Sequence, residues 1–119
     1  MNNEPAITID LSYLHTLTCG DKVFEKELLR GAVDDIQVKV DDLEKAWQCK
    51  DDQNIRKNVH SLKSLTAIAG IPQIQHWSQV IDQLFSAGIF NIKGPEPVAG
   101  IINGWVIAKM KLENILATY

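Results

Sequence analysis

The stretch Asn54–Gly70, NIRKNVHSLKSLTAIAG, decides the fold of this chain. An α-helix turns about 100° per residue, and at that spacing the apolar and small residues of the stretch fall on one side. They are Ile55, Val59, Leu62, Thr66 and Ala69. A continuous stripe of this kind is typical of an amphipathic helix that is buried along one face. The stretch therefore predicts a long helix that packs against other helices.

One histidine, His60, lies about 120° from the middle of that stripe, on the polar side of the predicted helix. Arg56 and Lys63 lie one turn before and after it, and Lys57 and Ser64 flank its other edge. An exposed neutral imidazole is a nucleophile near neutral pH. Nearby cations disfavour its protonation, and they favour a phosphoryl group on the ring nitrogen. The pattern predicts a phosphoryl acceptor, although a solvated face that merely contains a histidine would show the same spacing.

The linear motif around this histidine resembles the signature of histidine-containing phosphotransfer (HPt) domains. The family pattern is H-x-L-K-G, followed by small residues and a glycine. The chain matches it at His60, Leu62, Lys63 and Gly70. It departs from the pattern at Ser64, where the family usually has glycine. Serine is also small, so the departure leaves the site accessible and leaves open whether transfer is impaired.

The segment before this helix carries the resemblance further along the chain. HPt domains usually have a leading D-L-x-x-L segment, a Gly-Asp break and a long helix that begins near a phenylalanine. The chain shows these features at Asp10-Leu11-Ser12-Tyr13-Leu14, at Gly20-Asp21 and at Phe24. The resemblance covers roughly residues 8 to 85. It implies a four-helix bundle whose phosphorylated histidine stands on the second long helix and faces solvent.

The resemblance implies a function for the residues around the imidazole. His60 would accept a phosphoryl group from a receiver-domain aspartate, or from a kinase, and pass it to another response regulator. Lys63 lies one turn later on the same side, so its ammonium could reach a phosphoryl oxygen. In the family, a polar residue of the next helix often lies near the histidine. Gln79, Asp82 and Gln83 are the candidates here, and the two glutamines are the predicted phosphate contacts.

The docking surface predicted for a receiver domain is centred on His60. Its members are the cations Arg56 and Lys57 and the small residues Ser64 and Ala67. The resemblance implies response-regulator receiver domains, a hybrid sensor histidine kinase, or both as partners. The chain would bind no cofactor of its own, because the partner receiver would supply Mg²⁺. We expect a monomeric carrier without kinase activity that binds neither nucleic acid nor membrane.

Local signals predict where the other helices begin and end. Asp10, Asp21 and either Asp51 or Asp52 are the predicted N-caps, and Gly70 is predicted to follow the last residue of the His60 helix. The predicted helices are a short one before Thr18-Cys19-Gly20, a long one from Lys22 to about Gln48, the His60 helix to Ala69, one from Gln73 onward, and a last one that begins near Pro95 or Pro97. The segment from Ser86 to Pro97 is predicted as the longest loop, with Ile89, Phe90 and Ile92 tucked against the bundle. The predicted buried stripes include Phe24 and Val106.

These elements predict an all-α chain. The expected architecture is an up-and-down four-helix bundle with a short additional N-terminal helix. Residues 1–9 are predicted as a lead-in and residues 10–119 as a single domain.

Composition limits the possible classes of protein. The chain has 119 residues, 45 % of them hydrophobic and 23 % charged, and a net charge of −3. That composition fits one folded domain and gives no sign of a general affinity for nucleic acid. The N-terminus lacks a signal-peptide pattern, and no apolar run is long enough to span a membrane. Cys19 and Cys49 are then expected to be reduced thiols in a cytoplasmic protein.

Other chemistry is less well supported by the sequence. Di-metal helical bundles use Glu-x-x-His pairs, but the residues three positions before the histidines are Ser12, Lys57 and Gln73. His15 and His76 are predicted to lie at the surface and are assigned no chemistry. A glycine-rich phosphate loop is absent from the sequence, so an ATP site is not predicted. The competing hypothesis is a docking module of the same fold that binds receiver domains without transferring phosphate.

Overall fold

The computed structural model describes residues 6–119, which form six helices and no strand. The helices are α1 (Ser12–Thr18), α2 (Lys22–Gln48), α3 (Asp52–Ala69), α4 (Pro72–Ser86), α5 (Phe90–Lys93) and α6 (Pro95–Leu116). Residues 1–5, part of the predicted lead-in, lie outside the described residues. The all-helical prediction is confirmed, and α2 and α3 occupy the ranges that the sequence predicts.

Aspartate side chains begin the two helices that matter most for the site. The Asp21 carboxylate accepts hydrogen bonds from the amides of Val23 and Phe24, both at 3.1 Å, at the start of α2. The Asp51 carboxylate accepts from the Asn54 amide at 3.2 Å at the start of α3. Each bond satisfies an amide that the helix itself leaves unpaired. Of the two predicted candidates for the α3 cap, Asp51 is therefore the one used.

The predicted cap of α1 is wrong by one residue. The N-cap is Leu11, which has no capping side chain. Asp10 instead lies one position earlier, and its carboxylate accepts hydrogen bonds from the Ser12 amide at 3.0 Å and the Ser12 hydroxyl at 2.6 Å. The side chain thus supports the first turn from just outside the helix.

The four long helices pack in a closed ring. Helix α2 packs against α3, α3 against α4, α4 against α6, and α6 back against α2. Short helix α1 packs on α2 and α3, and α5 packs on α4 and α6. The largest fully buried apolar side chains are Leu14, Leu29, Ile36, Leu43, Ile55, Leu62, Ile71, Ile74, Ile81, Ile101 and Leu112. Helix α3 is therefore held between α2 and α4, which fixes the direction of its remaining face.

Two residues predicted in buried stripes face solvent instead. Phe24 is 47 % exposed and Val106 is 69 % exposed. On α2, Glu25 precedes the buried residues Leu29 and Ile36 by four and eleven positions, so it lies on the same buried face. Phe24, one residue earlier, therefore turns away from the core. On α6 the buried register includes Trp105, so the next residue, Val106, turns about 100° away from the core.

The segment from Ser86 to Pro97, predicted as a loop, contains the short helix α5, so the prediction is wrong there. Phe90 is buried there, stacked on Phe85 with ring centroids 4.0 Å apart. Ile92, predicted to be tucked in, is 74 % exposed, because one helical turn can direct only part of its side chains inward. Phe90 thus anchors this segment to the end of the bundle.

The segment before α1 belongs to the packed structure. Ile7 lies in the core with 4 % of its surface exposed. The Lys111 ammonium donates to the Ile7 carbonyl at 2.6 Å, and the Asp10 amide donates to the Gly70 carbonyl at 2.8 Å. Ile7, part of the predicted lead-in, is therefore packed with the helices. Among the helices described, none is both long and apolar enough to cross a membrane.

Candidate functional site

His60 stands on the exposed side of α3. The stripe opposite it is buried as predicted, with Ile55, Val59 and Leu62 each at most 1 % exposed. His60 itself is exposed, as is Ser64 one turn later. Packing against α2 and α4 thus fixes α3 so that the imidazole points away from the core. A ring nitrogen in that position is open to a macromolecular partner.

The two basic residues on the α4 side of His60 meet one carboxylate. Lys63 Nζ lies 2.8 Å from Asp82 Oδ2, and Arg56 Nε lies 3.3 Å from Asp82 Oδ1. Arg56 also donates to the Ser86 hydroxyl at 3.3 Å, and its guanidinium lies 5.7 Å from the centre of the Phe85 ring. The hydrogen bond from Lys63 holds the pKa of Asp82 below its ordinary value. Around His60, these two cations are therefore already paired.

The other residues of the predicted docking surface lie on different sides of the imidazole. Lys57 is exposed and lines a shallow cleft with Lys39 and Lys45 of α2. It forms no salt bridge within residues 6–119. Ala67 is half-buried rather than open, and it lines a depression beside Tyr13 of α1. The predicted docking residues thus border α2 at Lys57 and α1 at Ala67.

The predicted phosphate contacts lie together on α4. Gln79 and Gln83 are exposed, and they line one shallow depression with Lys63 and Asp82. The structure thus brings both amides to the side of α3 that carries Lys63. Contact of either amide with a phosphoryl group on His60 stays a prediction.

Gly70 ends α3 in a conformation that other residues adopt at a cost. Its φ is 71° and its ψ is 44°, in the left-handed region. A Cβ at this position would collide with the backbone carbonyl of Asp10. The glycine of the motif is therefore needed for the turn that ends α3 and for the close approach of the Asp10 backbone. It lies ten residues after the imidazole in the sequence.

Sequence reasoning missed Asp82 as the partner of both cations. The available signal was an acid on the polar side of α4, opposite two basic residues seven positions apart on α3. Seven residues are about two turns, so long side chains at both positions can converge on one carboxylate between them. That signal becomes usable once α3 and α4 are known to pack side by side.

A second carboxylate, that of Glu25 near the start of α2, was also missed. Glu25 is fully buried, and its oxygens lie 2.7 Å from His15 Nδ1, 2.7 Å from the Tyr119 hydroxyl and 3.3 Å from the Thr18 hydroxyl. We refer to these four residues as the Glu25 cluster. The hydrogen bond from Tyr119, followed by that from His15, lowers the pKa of Glu25 to about 2. Burial, together with the bond to Glu25, raises the pKa of Tyr119 to about 12.

Within residues 6–119, no group of three or more His, Cys, Asp and Glu side chains is arranged to hold a metal ion. His15, which the sequence leaves without a role, belongs to the Glu25 cluster. His76 is exposed on α4 beside a groove formed with the α5 region.

Comparison with known proteins identifies the family of this chain. The family model described as Hpt domain matches residues 27–103, which include His60, Lys63 and Gly70. The chain therefore belongs to the Hpt domain family. No curated protein matches the sequence.

Two solved structures have the same fold. One is the HPT domain of a sensor hybrid histidine kinase from Shewanella, with 13 % identity, a TM-score of 0.79, and coverage of 93 % of this chain and 95 % of that one. The other is histidine-containing phosphotransfer protein B from Pseudomonas aeruginosa PAO1, with 19 % identity, a TM-score of 0.80, and coverage of 93 % and 96 %. At these identities the likeness establishes the fold, and function follows from family membership. Domains of this family are phosphorelay intermediates of two-component signalling, where they interact with receiver domains and histidine kinases.

Proposed function

We propose that His60 is the residue through which this domain carries the phosphoryl group. It accepts the group from a receiver-domain aspartate or a kinase and passes it to another response regulator. The observation that carries the proposal is an exposed imidazole on α3, within the family motif, with Ser64 beside it. The architecture that we propose around it is an up-and-down four-helix bundle with short additional helices.

The chemical step needs little from this chain beyond the imidazole. The lone pair of one ring nitrogen attacks the phosphorus of the partner's aspartyl phosphate. A nitrogen–phosphorus bond forms, the bond from phosphorus to the aspartate oxygen breaks, and the carboxylate leaves with that electron pair. The proton on the other ring nitrogen stays with the imidazole. The partner receiver supplies Mg²⁺ in this scheme, and the chain acts as a carrier without kinase activity of its own.

A labelling experiment tests the assignment of His60. The chain is incubated with a phosphorylated receiver domain, and acid-labile, base-stable phosphate on the chain is measured. We expect label on the native chain and none on His60→Gln. His76→Gln is the matched control, because it removes another exposed histidine, on α4, and should keep the label. Label on His60→Gln would show that the assignment is wrong.

The same experiment separates transfer from docking alone. If the native chain binds a receiver domain but takes up no label, the docking-module hypothesis replaces the proposal.

A steric variant tests the docking surface. In Ala67→Trp, a large ring would project into the depression between α3 and Tyr13, where we expect the receiver to lie. Transfer should slow by about tenfold or more, which corresponds to about 1.4 kcal/mol of lost association. The control is Ala99→Trp, which places the same ring at an exposed position on α6. Equal transfer rates for both variants would place the docking surface elsewhere.

A further inference from the structure

We propose that Asp82 is a positioning residue for this site: it competes with a phosphoryl group on His60 for the Lys63 ammonium and so destabilises the phosphorylated form. The inference rests on the proposed function, because it concerns the same histidine. Its consequence is a phosphohistidine that gives up its phosphoryl group readily.

The carboxylate already uses both of its oxygens. Oδ2 lies 2.8 Å from Lys63 Nζ, and Oδ1 lies 3.3 Å from Arg56 Nε. The side chains of Lys63 and Asp82 are 28 % and 26 % exposed, so the pair is partly shielded from water. Partial burial reduces screening by salt and makes the pair stronger than one on an open surface. The Lys63 ammonium is therefore already paired with a carboxylate in the unphosphorylated protein.

Lys63 can reach two competing acceptors. It follows His60 by three residues, which places the two side chains on neighbouring turns of the same face. A phosphoryl group carries about two negative charges near neutral pH, more than the single charge of Asp82. If Lys63 stays with Asp82, the phosphoryl group lacks that donor. If Lys63 moves to the phosphoryl group, Asp82 loses the shorter of its two ion pairs.

Either outcome raises the free energy of the phosphorylated form relative to a protein without the carboxylate. A different role is also open to Asp82, because its two ion pairs join α3 to α4 and could simply stabilise the fold. That role predicts a change in unfolding and no change in phosphorylation. An experiment must therefore measure both quantities on the same variants.

Phosphoramidate provides a measurement that needs no partner protein. In this reaction the imidazole nitrogen attacks phosphorus, the nitrogen–phosphorus bond of phosphoramidate breaks, and ammonia leaves with the bonding electron pair. With fixed concentrations of phosphoramidate and ammonium, the ratio of phosphorylated to free protein reaches an equilibrium. Intact mass and ³¹P NMR give that ratio, and thermal unfolding of the same samples gives stability.

Three variants form a double-mutant cycle. Asp82→Asn should raise the equilibrium ratio about three- to fivefold, the factor expected for a partly exposed ion pair. Lys63→Ala should lower the ratio. In the Lys63→Ala background, Asp82→Asn should have less than half of its effect on a logarithmic scale. Glu113→Gln is the control, because it breaks the Arg30–Glu113 pair, also 2.8 Å long but formed between α2 and α6, and it should leave the ratio unchanged.

The outcomes separate this inference from the proposed function. If native protein is labelled at His60 and Asp82→Asn gives the same ratio, the competition is refuted while the proposed function stands. If Asp82→Asn raises the ratio equally with and without Lys63, direct repulsion replaces the route through Lys63. If the native protein takes up no phosphoryl group at His60, both proposals fall.

Discussion

Two carboxylates, Glu25 in the Glu25 cluster and Asp82 beside the candidate site, each bind several side chains in very different surroundings. Glu25 is fully buried among side chains that donate to it, including Tyr119 from the far end of the chain. Asp82 keeps 26 % of its side chain exposed and pairs with two cations beside the candidate site. An unpaired carboxylate in the interior is costly, so Glu25 must keep its partners. A partly exposed carboxylate can replace a partner with water, so losing Lys63 should cost Asp82 less than losing a partner would cost Glu25.

The position of an acidic group, more than its residue type, decides what it does in this molecule. The Glu25 cluster stabilises the contact of α1, α2 and the C-terminal residue. The Asp82 pairs join α3 to α4 beside the candidate site, where we propose that Lys63 exchanges between two acceptors. Stability and phosphotransfer should therefore respond to different substitutions.

The largest expected effect comes from removing the buried carboxylate. Glu25→Ala leaves the partly buried Tyr119 hydroxyl without its acceptor and opens a gap in α2 packing, so Tm should fall by about 10 °C. Equilibrium labelling of folded protein by phosphoramidate should stay at the native ratio. The matched control is Glu27→Ala, an exposed glutamate on the same helix, which should change Tm little. Equal values of Tm for the two variants would remove the contrast between the regions.

The contributions of the two carboxylates to folding stability should be lost at different pH values as the solution is acidified. The folded pKa of Glu25 is about 2, below its ordinary value of 4.5, so its contribution to stability is fully present above about pH 4.5. That contribution is lost as pH falls from there towards pH 2. The pKa of Asp82 is also lowered, so its contribution starts to fall only below its ordinary value of 3.8.

Urea unfolding across this pH range checks the expectation. The difference in unfolding free energy between native protein and Glu25→Gln should shrink as pH falls through that window. The corresponding difference for Asp82→Asn should be small throughout and begin to shrink at lower pH. A Glu25→Gln difference that stays constant down to pH 2 would contradict the linkage of this carboxylate to folding.

The smallest expected effect on stability is that of Asp82→Asn at neutral pH. Ion pairs that remain partly exposed contribute little, so the unfolding free energy should change by less than about 1 kcal/mol. Added salt should reduce the change further, since these charges are screened more than buried ones. A loss comparable with that of Glu25→Ala would instead show that Asp82 is mainly a structural residue.

The sequence predicts the parts of this molecule that follow from local periodicity and capping. The ranges of α2 and α3, the buried stripe of α3 and the exposure of His60 are of this kind. Glu25 escaped because a charged residue in a core register is ordinarily read as solvated, and its main partner, Tyr119, is 94 residues away. The pairing of Asp82 with Lys63 and Arg56 escaped for a related reason, since these partners are recognisable only when α3 and α4 are placed side by side.

Gly70 gives the motif a second meaning. In the proposed function His60 and Lys63 carry the chemistry, whereas the glycine ten positions after the histidine allows the path of the chain, because it admits the backbone of Asp10 against the end of α3. When the motif is used to recognise related chains, the histidine and lysine therefore indicate the chemistry, and the glycine indicates the path of the chain. A chain that keeps the glycine but has lost the histidine would still have room for this crossing of the leading segment. A chain with the histidine and a bulkier residue at position 70 would keep the imidazole but lose the close approach of the Asp10 backbone to the end of α3.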